Sequence, residues 1–500
     1  MAKNIIICSD GTGNSTIKNR GTNVFKLFEA VDLHHQEQKQ VAIYDDGVGT
    51  ESIKFIRLIT GAFGYGLSRN VRQLYASLAR VYKPGDRIYL FGFSRGAFTV
   101  RSLAGLITKM GIVDFNNCPS DTELRKRVKL AYREYRHAHR APLEVLLGLL
   151  FGWLIHWGSP IRGIQAFKEK YAVKNPQNPA EVPNKVHFIG VWDTVSAVGF
   201  PLLGVADAIN LLIYRFKFPD YVLDKDVEHA CHALSIDDQR KTFHPLLWEQ
   251  KTDNDKTRIE QVWFSGVHAN VGGGYPKQGM SLVALNWMMH KAAERRIKFV
   301  SHDENLYESR QNVNDKLYDS RAGMNVYYRY SPRNIFEKYE NFTVKPRIHA
   351  STINRIIQGT EGYAPGNLPR EFEIVDADEM NCQWPTVSED MTAELGNDTS
   401  LLERVKEWVL LRQASSWVFI LTSLYIVYLS LPRDLCQREI WDIIGYFFSS
   451  DFFANLLKQS PWLFGVLLLC YAAGLLGRSR MQRTFSEFWH ALIKKKKFAD

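Results

Sequence analysis

The chain has 500 residues, 45% of them hydrophobic, and a formal net charge of +10. This length and apolar content exclude a disordered protein and are enough for a large buried core. The six cysteines form no C-x-x-C pair, which favours neither a zinc knuckle nor a disulfide framework and fits a reducing compartment. The basic residues are not interleaved with aromatic residues along one stripe, so a membrane is a better expected partner than a nucleic acid.

Five apolar runs predict β-strands, and helical patterns such as GLSRNVRQLYASLARVY separate them. The runs are NIIIC, VAIY, RIYLFGF, VHFIGVW and EQVWFSGV. The first is too short to be the apolar part of a secretory signal. Strands that alternate with helices predict an α/β fold whose mostly parallel sheet is covered on both faces. Functional residues are therefore expected just beyond the carboxyl ends of these strands.

The third run ends in the pentapeptide GFSRG, residues 92–96, directly before a helical pattern. This is the G-x-S-x-G pattern of a nucleophile elbow, a tight strand-to-helix turn that presents a serine at the edge of the sheet. Gly92 and Gly96 fit the turn because its flanks leave no room for side chains. The pattern predicts that Ser94 is a nucleophile and that the amide of Arg95, which opens the helix, faces an oxyanion. The alternative is a structural turn with a hydrogen-bonding serine.

A serine nucleophile needs a base and a third group that orients the base. Asp193 follows the fourth run and His268 follows the fifth, which is the serine, acid, histidine order of α/β-hydrolases. The order predicts that His268 is the general base and that Asp193 orients it. Asp237 and Asp238 are competing candidates for the acid, although no strand is predicted directly before them.

The stretch DGTGN after the first strand, residues 10–14, consists of small residues with exposed amides. It predicts a second oxyanion donor, from Gly11 or Thr12, in a loop anchored by Asp10. The alternative is an ordinary turn. A serine mechanism of this kind requires no metal and no organic cofactor.

Two other functions are compatible with the sequence. The carboxylates of Asp10, Asp45, Asp46 and Asp193 could instead belong to a metal-dependent phosphoesterase, which would need a divalent cation. The third hypothesis is a membrane interaction module without catalytic activity.

The composition changes near residue 413, where two uncharged apolar segments begin. The segments at about 413–431 and 461–477 approach the length that crosses the hydrocarbon core and predict a transmembrane hairpin. Between them, apolar residues at helical spacing predict an interfacial amphipathic helix over about 438–457. Basic residues before the first span and in the tail after the second predict that both ends are cytoplasmic. The alternative is a pair of buried core helices.

The rest of the chain divides at an acidic stretch without periodicity. Residues 1–375 are predicted to form one catalytic domain, and residues 376–412 an acidic linker with a juxtamembrane helix. Within the domain, the apolar segment LEVLLGLLFGWLIHWG, residues 143–158, predicts a lid that dips into the membrane interface, in an insertion over about 115–180. The alternative is a buried helix of a cap.

Six motifs together resemble the α/β-hydrolase catalytic domain of type VI secretion phospholipase effectors, a large bacterial family. They are SDGTGN, YDDGVGT, LFGFSRGAFTVRSLAGLI, GVWDTV, HALSIDDQR and FSGVHANVGGGY, and later pieces such as YYRYSPR extend the resemblance to about Val375. The resemblance implies a triad at Ser94, Asp193 and His268 and lipase or phospholipase A activity. The chain departs from the family pattern at Asn270, where an aspartate is frequent.

These observations combine into one hypothesis. The protein is expected to be a serine ester hydrolase that acts on lipid and is tethered by its C-terminal hairpin to the bacterial inner membrane. The catalytic domain is expected in the cytoplasm.

Overall fold

A computed structural model describes residues 2–11, 21–47, 63–137, 163–178, 181–195, 221–368, 371–376, 401–431 and 461–496, with a few positions between 446 and 456. The described part contains an eight-stranded sheet in the order β2-β1-β3-β4-β5-β6-β7-β8. Every neighbouring pair of strands is parallel. The strands are β1 Asn4–Ser9, β2 Gln40–Asp45, β3 Arg87–Phe93, β4 Val186–Trp192, β5 Val227–Ser235, β6 Ile259–Phe264, β7 Arg347–His349 and β8 Glu373–Val375.

Helices connect the strands and cover the sheet. The α-helices are α1 Asn23–Ala30, α2 Phe63–Val81, α3 Arg95–Met110, α4 Asp121–His137, α5 Ile164–Tyr171, α6 Asp253–Arg258, α7 His268–Gly272, α8 Gly279–Glu294, α9 Ser301–Arg310, α10 Ile335–Tyr339, α11 Ala350–Gln358, α12 Leu401–Arg404, α13 Lys406–Ser430 and α14 Pro461–Lys496. One apolar cluster joins the sheet to α2, α3 and α4, and a second joins its opposite face to α1 and α8. The sheet is therefore buried on both faces.

The α/β fold with a mostly parallel sheet is confirmed, and all five predicted strands are present. Strands β5, β7 and β8 are not among the apolar runs that predicted strands. Strand β5 lies inside the sheet, but its sequence VEHACHALS does not form an apolar run. Glu228 and His229 are half-buried at its start. The fully buried His232 accepts a hydrogen bond from the amide of Thr194, 3.1 Å away, and this partner makes an imidazole acceptable in the core.

The strand order creates a crevice at one edge of the sheet. Strand β1 lies between β2 and β3, so the connections after β1 and after β2 run in opposite directions across the sheet. Loops at the carboxyl ends of strands separate at such a switch point and leave space for a ligand. Ser9 at the end of β1 is in register with Gly92 near the end of β3, so the loop with Asp10 and the turn with Ser94 are neighbours.

Helices α13 and α14 are long and apolar enough to cross a membrane. The two helices are antiparallel, because Gly477 of α14 lies beside Arg412 of α13 and the earlier Gly474 lies beside the later Ser415. A Cβ atom built on Gly477 would be 2.7 Å from Cγ of Arg412, and one built on Gly474 would be 3.8 Å from Oγ of Ser415. In the most apolar 18-residue stretch of each helix, only 28% of α13 and 11% of α14 is buried, whereas a core helix is mostly buried. The predicted lid segment, the acidic stretch over 377–400 and most of the predicted amphipathic helix lie outside the described residues.

The end of α14 packs against the α/β domain. The segment that was predicted to be a basic tail after the second span is helical in the structure, because α14 continues to Lys496. Met481, Phe485 and Trp489 recur at helical spacing on one face and join an apolar cluster with strands β5 and β6. The indole of Trp489 donates a hydrogen bond to the carbonyl oxygen of Pro365, 2.8 Å away. The hairpin is thus attached to the domain by buried contacts as well as by the chain.

Replacement of Trp489 by alanine tests this attachment. Trp489 is 4% exposed, and removal of a buried aromatic side chain costs about 3–5 kcal/mol. Trp462, at the other end of the same helix, is 65% exposed, and Trp462→Ala is expected to change stability by about 0.5 kcal/mol or less. The measurement is denaturant unfolding of both variants in detergent, followed by circular dichroism. Equal losses in the two variants would contradict the packing described here.

Candidate functional site

Ser94 occupies a strained turn between β3 and α3. Its φ of 58° and ψ of −119° are rare for a residue with a side chain. The two flanking glycines allow this turn. A Cβ on Gly92 would lie 2.6 Å from Cα of Ala97, and one on Gly96 would clash with the carbonyl oxygen of Ser9. A side chain at position 92 would push α3 away from β3, and one at position 96 would push α3 away from the end of β1. GFSRG therefore has the local geometry of a nucleophile elbow.

Asp193 directly follows β4 and also has a positive φ, of 40°. Its carboxylate accepts hydrogen bonds from the amide of Ser235, at 3.0 Å, and from the hydroxyl of Ser235, at 3.2 Å. The guanidinium of Arg333 forms two further bonds, from Nη1 to Oδ1 at 2.7 Å and from Nη2 to Oδ2 at 2.8 Å. Both Asp193 and Arg333 are fully buried, so the carboxylate is held from the end of β5 and from the Arg333 segment.

His268 begins α7 just beyond the end of β6. Its Nδ1 lies 2.5 Å from Oδ2 of Asp193. Its ring packs against Phe93 with 4.6 Å between ring centroids and contacts Phe243 edge-on at 4.9 Å. Since Phe93 directly precedes Ser94, the imidazole lies beside the nucleophile turn. A Cβ on Gly272 would overlap the ring of Phe93, so this glycine allows α7 to approach the turn.

Burial and charge give the two groups complementary ionisation states. Burial favours the neutral form of Asp193, but the Arg333 guanidinium and the hydrogen bond with His268 outweigh it and hold the pKa of Asp193 well below its usual value. Burial lowers the pKa of His268, against the opposing effect of Asp193. At neutral pH the pair is therefore an ionised carboxylate beside a neutral imidazole. The neutral imidazole can accept a proton, and the carboxylate can stabilise the resulting cation.

Arg333 was not predicted to be part of the site. It lies in the motif YYRYSPR, which the family resemblance included, but 140 residues separate it from Asp193. Arg333 also donates to the backbone oxygens of Ser235 and Phe243. A buried arginine needs an anionic partner, but Glu337 lies only four residues further along the chain, so nothing in the sequence indicated that the partner of Arg333 is Asp193.

Asp237 and Asp238 follow β5, a strand that no apolar run predicted. The expectation that no strand precedes them is therefore wrong. Asp237 accepts hydrogen bonds from the amide of Gly266 and the hydroxyl of Tyr363, and burial raises its pKa to about 6. Asp238 forms a bidentate pair with Arg240, and its Oδ2 accepts from the backbone amide of His268 at 3.3 Å. Both carboxylates support the loop of His268 through its backbone.

Asp10 connects the loop after β1 to its surroundings. Its carboxylate accepts hydrogen bonds from the amide of Gly11 at 2.6 Å, the hydroxyl of Thr22 at 2.5 Å and the hydroxyl of Tyr44 at 2.8 Å. The amide of Gly11 thus already has an acceptor, and an oxyanion would have to replace Asp10 there. Thr12 lies outside the described residues. Arg95 opens the sixteen-residue helix α3, whose positive dipole end faces the turn of Ser94.

The four aspartates of the metal hypothesis belong to separate networks. Asp10 is bound to Thr22 and Tyr44, whereas Asp193 is bound to Arg333 and His268. Asp45 accepts from Ser9 and Asn70, and Asp46 is exposed. Across the described ranges, no group of three or more His, Cys, Asp or Glu side chains could hold a metal ion.

Asn270 acts as both acceptor and donor, which explains why an amide suits this position. Its Oδ1 accepts from the amides of Val267 and Tyr318, each at 3.3 Å. Its Nδ2 donates to the carbonyl oxygen of Lys316 at 3.1 Å. An ionised aspartate cannot donate, so it would leave the Lys316 carbonyl without this bond. Asn270 therefore connects α7 to residues 316–318 through hydrogen bonds.

Replacement of Arg333 by methionine tests the buried ion pair. Removing one partner of such a pair leaves an unmatched buried charge and is expected to cost about 3–5 kcal/mol of stability. The double variant Arg333→Met/Asp193→Asn should recover most of this loss, because no buried charge remains unmatched. Arg347→Met, which breaks the more exposed pair with Glu373, is the control and should cost about 0–1 kcal/mol. Denaturant unfolding measures all three, and a double variant as unstable as the single one would contradict the ion-pair argument.

Three known proteins show some similarity to this chain. An uncharacterised protein of Saccharomyces cerevisiae is 28% identical over 261 residues, which are 49% of this chain and 33% of the yeast protein. Two solved structures are similar at a low level. An uncharacterised protein from Pseudomonas aeruginosa is 15% identical with a TM-score of 0.30, over 97% of this chain and 63% of that one. The carboxylesterase Cest-2923 from Lactobacillus plantarum is 14% identical with a TM-score of 0.27, over 58% of this chain and 86% of that one.

The family model for the catalytic domain of Tle1-like phospholipase effectors of the type VI secretion system (T6SS) matches residues 3–291. This range is more than half of the chain and includes Ser94, Asp193 and His268, whereas Arg333 and the hairpin lie beyond it. The match confirms the resemblance, and the chain belongs to the Tle1-like phospholipase effector family.

Proposed function

We propose that the protein is a membrane-tethered serine hydrolase that cleaves acyl esters of lipids, with phospholipids as its substrates. Family membership supports a hydrolase of the lipase or phospholipase type. The observation that carries the serine mechanism is the bond of 2.5 Å between His268 and Asp193, with the imidazole packed on Phe93 beside Ser94. A serine in a nucleophile elbow next to a neutral, oriented histidine is the arrangement required for acyl transfer.

In the proposed reaction, Oγ of Ser94 attacks the ester carbonyl carbon while Nε2 of His268 takes the hydroxyl proton. The tetrahedral oxyanion is stabilised at the N-terminus of α3, with the amide of Arg95 as donor. Asp193 keeps the proton on Nδ1 and stabilises the imidazolium. His268 then gives its proton to the leaving alcohol, and an acyl-enzyme remains. Water, activated by His268, attacks the acyl-enzyme, releases the fatty acid and restores the Ser94 hydroxyl.

The proposed membrane tether is the hairpin of α13 and α14. Apolar side chains on the surface of both helices are exposed, among them Leu421, Tyr428, Leu468 and Leu469. A large exposed apolar surface on helices of this length fits contact with lipid. The basic flanks favour a cytoplasmic α/β domain. Tethering would keep the domain at the surface of the membrane that holds its substrate.

Replacement of Ser94 by alanine tests the nucleophile. Acyl release from labelled phospholipids and short-chain esters should fall by about 10³-fold or more, because the remaining groups cannot form the acyl-enzyme. Ser309→Ala, at an exposed serine of α9, is the control and should keep full activity. EDTA is present throughout, and a fluorophosphonate probe should label the wild type but not Ser94→Ala. An active Ser94→Ala variant, or activity that only an added metal restores, would reject the serine mechanism.

The dependence of activity on pH tests the role of His268. The base must be neutral to accept the proton, so kcat/KM should rise with pH through the pKa of the free imidazole. Since burial lowers that pKa, the midpoint of the acidic limb is expected below the ordinary histidine value of about 6.5. A soluble short-chain ester is the substrate, because a charged membrane surface would shift the local pH. A midpoint at or above the ordinary value would contradict a buried histidine as the base.

A further inference from the structure

A cavity of about 450 Å³ lies where the hairpin meets the α/β domain. One part of its wall is polar and the other part is apolar. The polar part includes Asp319, Arg321, Arg412 and Arg478, and the apolar part includes Val326, Phe419, Tyr471 and Leu475. We call this space the junction cavity. A lining of this kind can hold a molecule with a polar head and an apolar body.

The positive charges of the junction cavity are not balanced. Asp319 pairs with Arg478 at 2.5 Å. Arg412 instead donates to neutral groups, the hydroxyl of Tyr330 at 2.8 Å and Oε1 of Gln239 at 3.2 Å.

Arg321 also donates to neutral groups, the carbonyl oxygen of Val326 at 2.9 Å and the hydroxyl of Ser416 at 3.0 Å. Among the described residues, the lining therefore has three arginines and one carboxylate, which favours an anionic ligand.

Two of these arginines also have hydrogen-bonding capacity to spare. The Nε atoms of Arg321 and Arg412 are buried and have no hydrogen-bond partner within the described part of the chain. Arg412 is 8% exposed, so water has little access to its guanidinium. Burial and the neighbouring charge of Arg412 also lower the pKa of Arg321, to about 10. A phosphate group in the junction cavity would supply the missing negative charge beside these buried guanidinium groups.

The position of the junction cavity along the hairpin matches the depth of lipid head groups. Arg412 precedes the uncharged segment of α13, and Arg478 directly follows that of α14. Charged groups at this boundary reach the phosphate layer, while the apolar wall continues along the spans. A free phosphate ion would leave the apolar wall without a partner, and a zwitterionic lipid would bring its own positive charge to the arginines.

We propose that the junction cavity binds an anionic phospholipid, with its phosphate on Arg321 and Arg412 and its acyl chains along α13 and α14. The proposal rests on insertion of the hairpin into a membrane, as proposed above. The site is separate from the nucleophile turn, so this lipid is a ligand of the anchor and not the substrate.

The test measures which lipids stay bound to the full-length protein. Ser94→Ala is the background, so that lipid is not consumed. It is reconstituted into vesicles of equal parts phosphatidylglycerol and phosphatidylcholine, extracted in mild detergent and examined by native mass spectrometry. Phosphatidylglycerol should be retained preferentially. Adding Arg321→Gln and Arg412→Gln should weaken retention by about tenfold or more, because hydrogen bonds to a charged group are lost. The control adds Lys406→Gln and Arg480→Gln, which removes the same amount of charge outside the junction cavity and should not weaken retention of phosphatidylglycerol.

Each other outcome overturns the proposal. Equal retention of the two lipids in the Ser94→Ala background rejects an anionic site, even if the arginine variants fail to fold. An equal loss in both double variants shows general attraction to charge, and displacement by soluble glycerol phosphate shows a phosphate site without acyl contacts. Insertion into pure phosphatidylcholine vesicles and ester hydrolysis by the wild type are measured separately, so failure of the tether or of the chemistry is recognised as such.

Discussion

The fully buried ion pair between Arg333 and Asp193 is the interaction on which the candidate site depends. It joins elements that are distant in sequence, because Arg333 also bonds to the carbonyl oxygens of Ser235, at the end of β5, and of Phe243. Each charge would be costly to bury alone, so each requires the other. The carboxylate of Asp193 can therefore be buried in its position only when the segment that contains Arg333 is also in place.

The same pair sets the electrostatics around His268. A carboxylate with only a histidine for a partner would be costly to bury in ionised form, and it would strongly favour the imidazolium. The guanidinium keeps Asp193 ionised and partly neutralises the negative charge that acts on His268. Burial also disfavours a positive charge on His268. The imidazole therefore stays neutral and oriented before any substrate arrives. The positive φ values of Ser94 and Asp193 are local strain that the surrounding contacts must offset, and such strain concentrates at functional sites.

The sequence predicted the parts of this arrangement that depend on local pattern. Apolar runs marked five strands, and strands β4 and β6 flank β5, so the residues at their carboxyl ends meet at one edge of the sheet. Asp193 and His268 could therefore be expected near each other. Strand β5 was missed because hydrogen bonding, and not apolar character, makes His232 acceptable in the core. Arg333 was missed because no local pattern links it to a carboxylate 140 residues away. The packing of α14 on the domain was missed because its basic residues hide the spacing of Met481, Phe485 and Trp489.

One short segment connects the candidate active site to the hairpin. Tyr330 receives the guanidinium of Arg412 over its ring, at 3.9 Å from the centroid, and three residues later Arg333 holds Asp193. Between them, the amide of Ser331 donates to the carbonyl oxygen of Gln239, whose side chain accepts from Arg412. Gln239 in turn follows Asp238, which contacts the backbone of His268. The α/β domain is therefore held on α13 and α14 in a fixed orientation at the level of the junction cavity. For an enzyme whose proposed substrate lies in the same membrane, that orientation decides which depth of the lipid layer the nucleophile turn can reach.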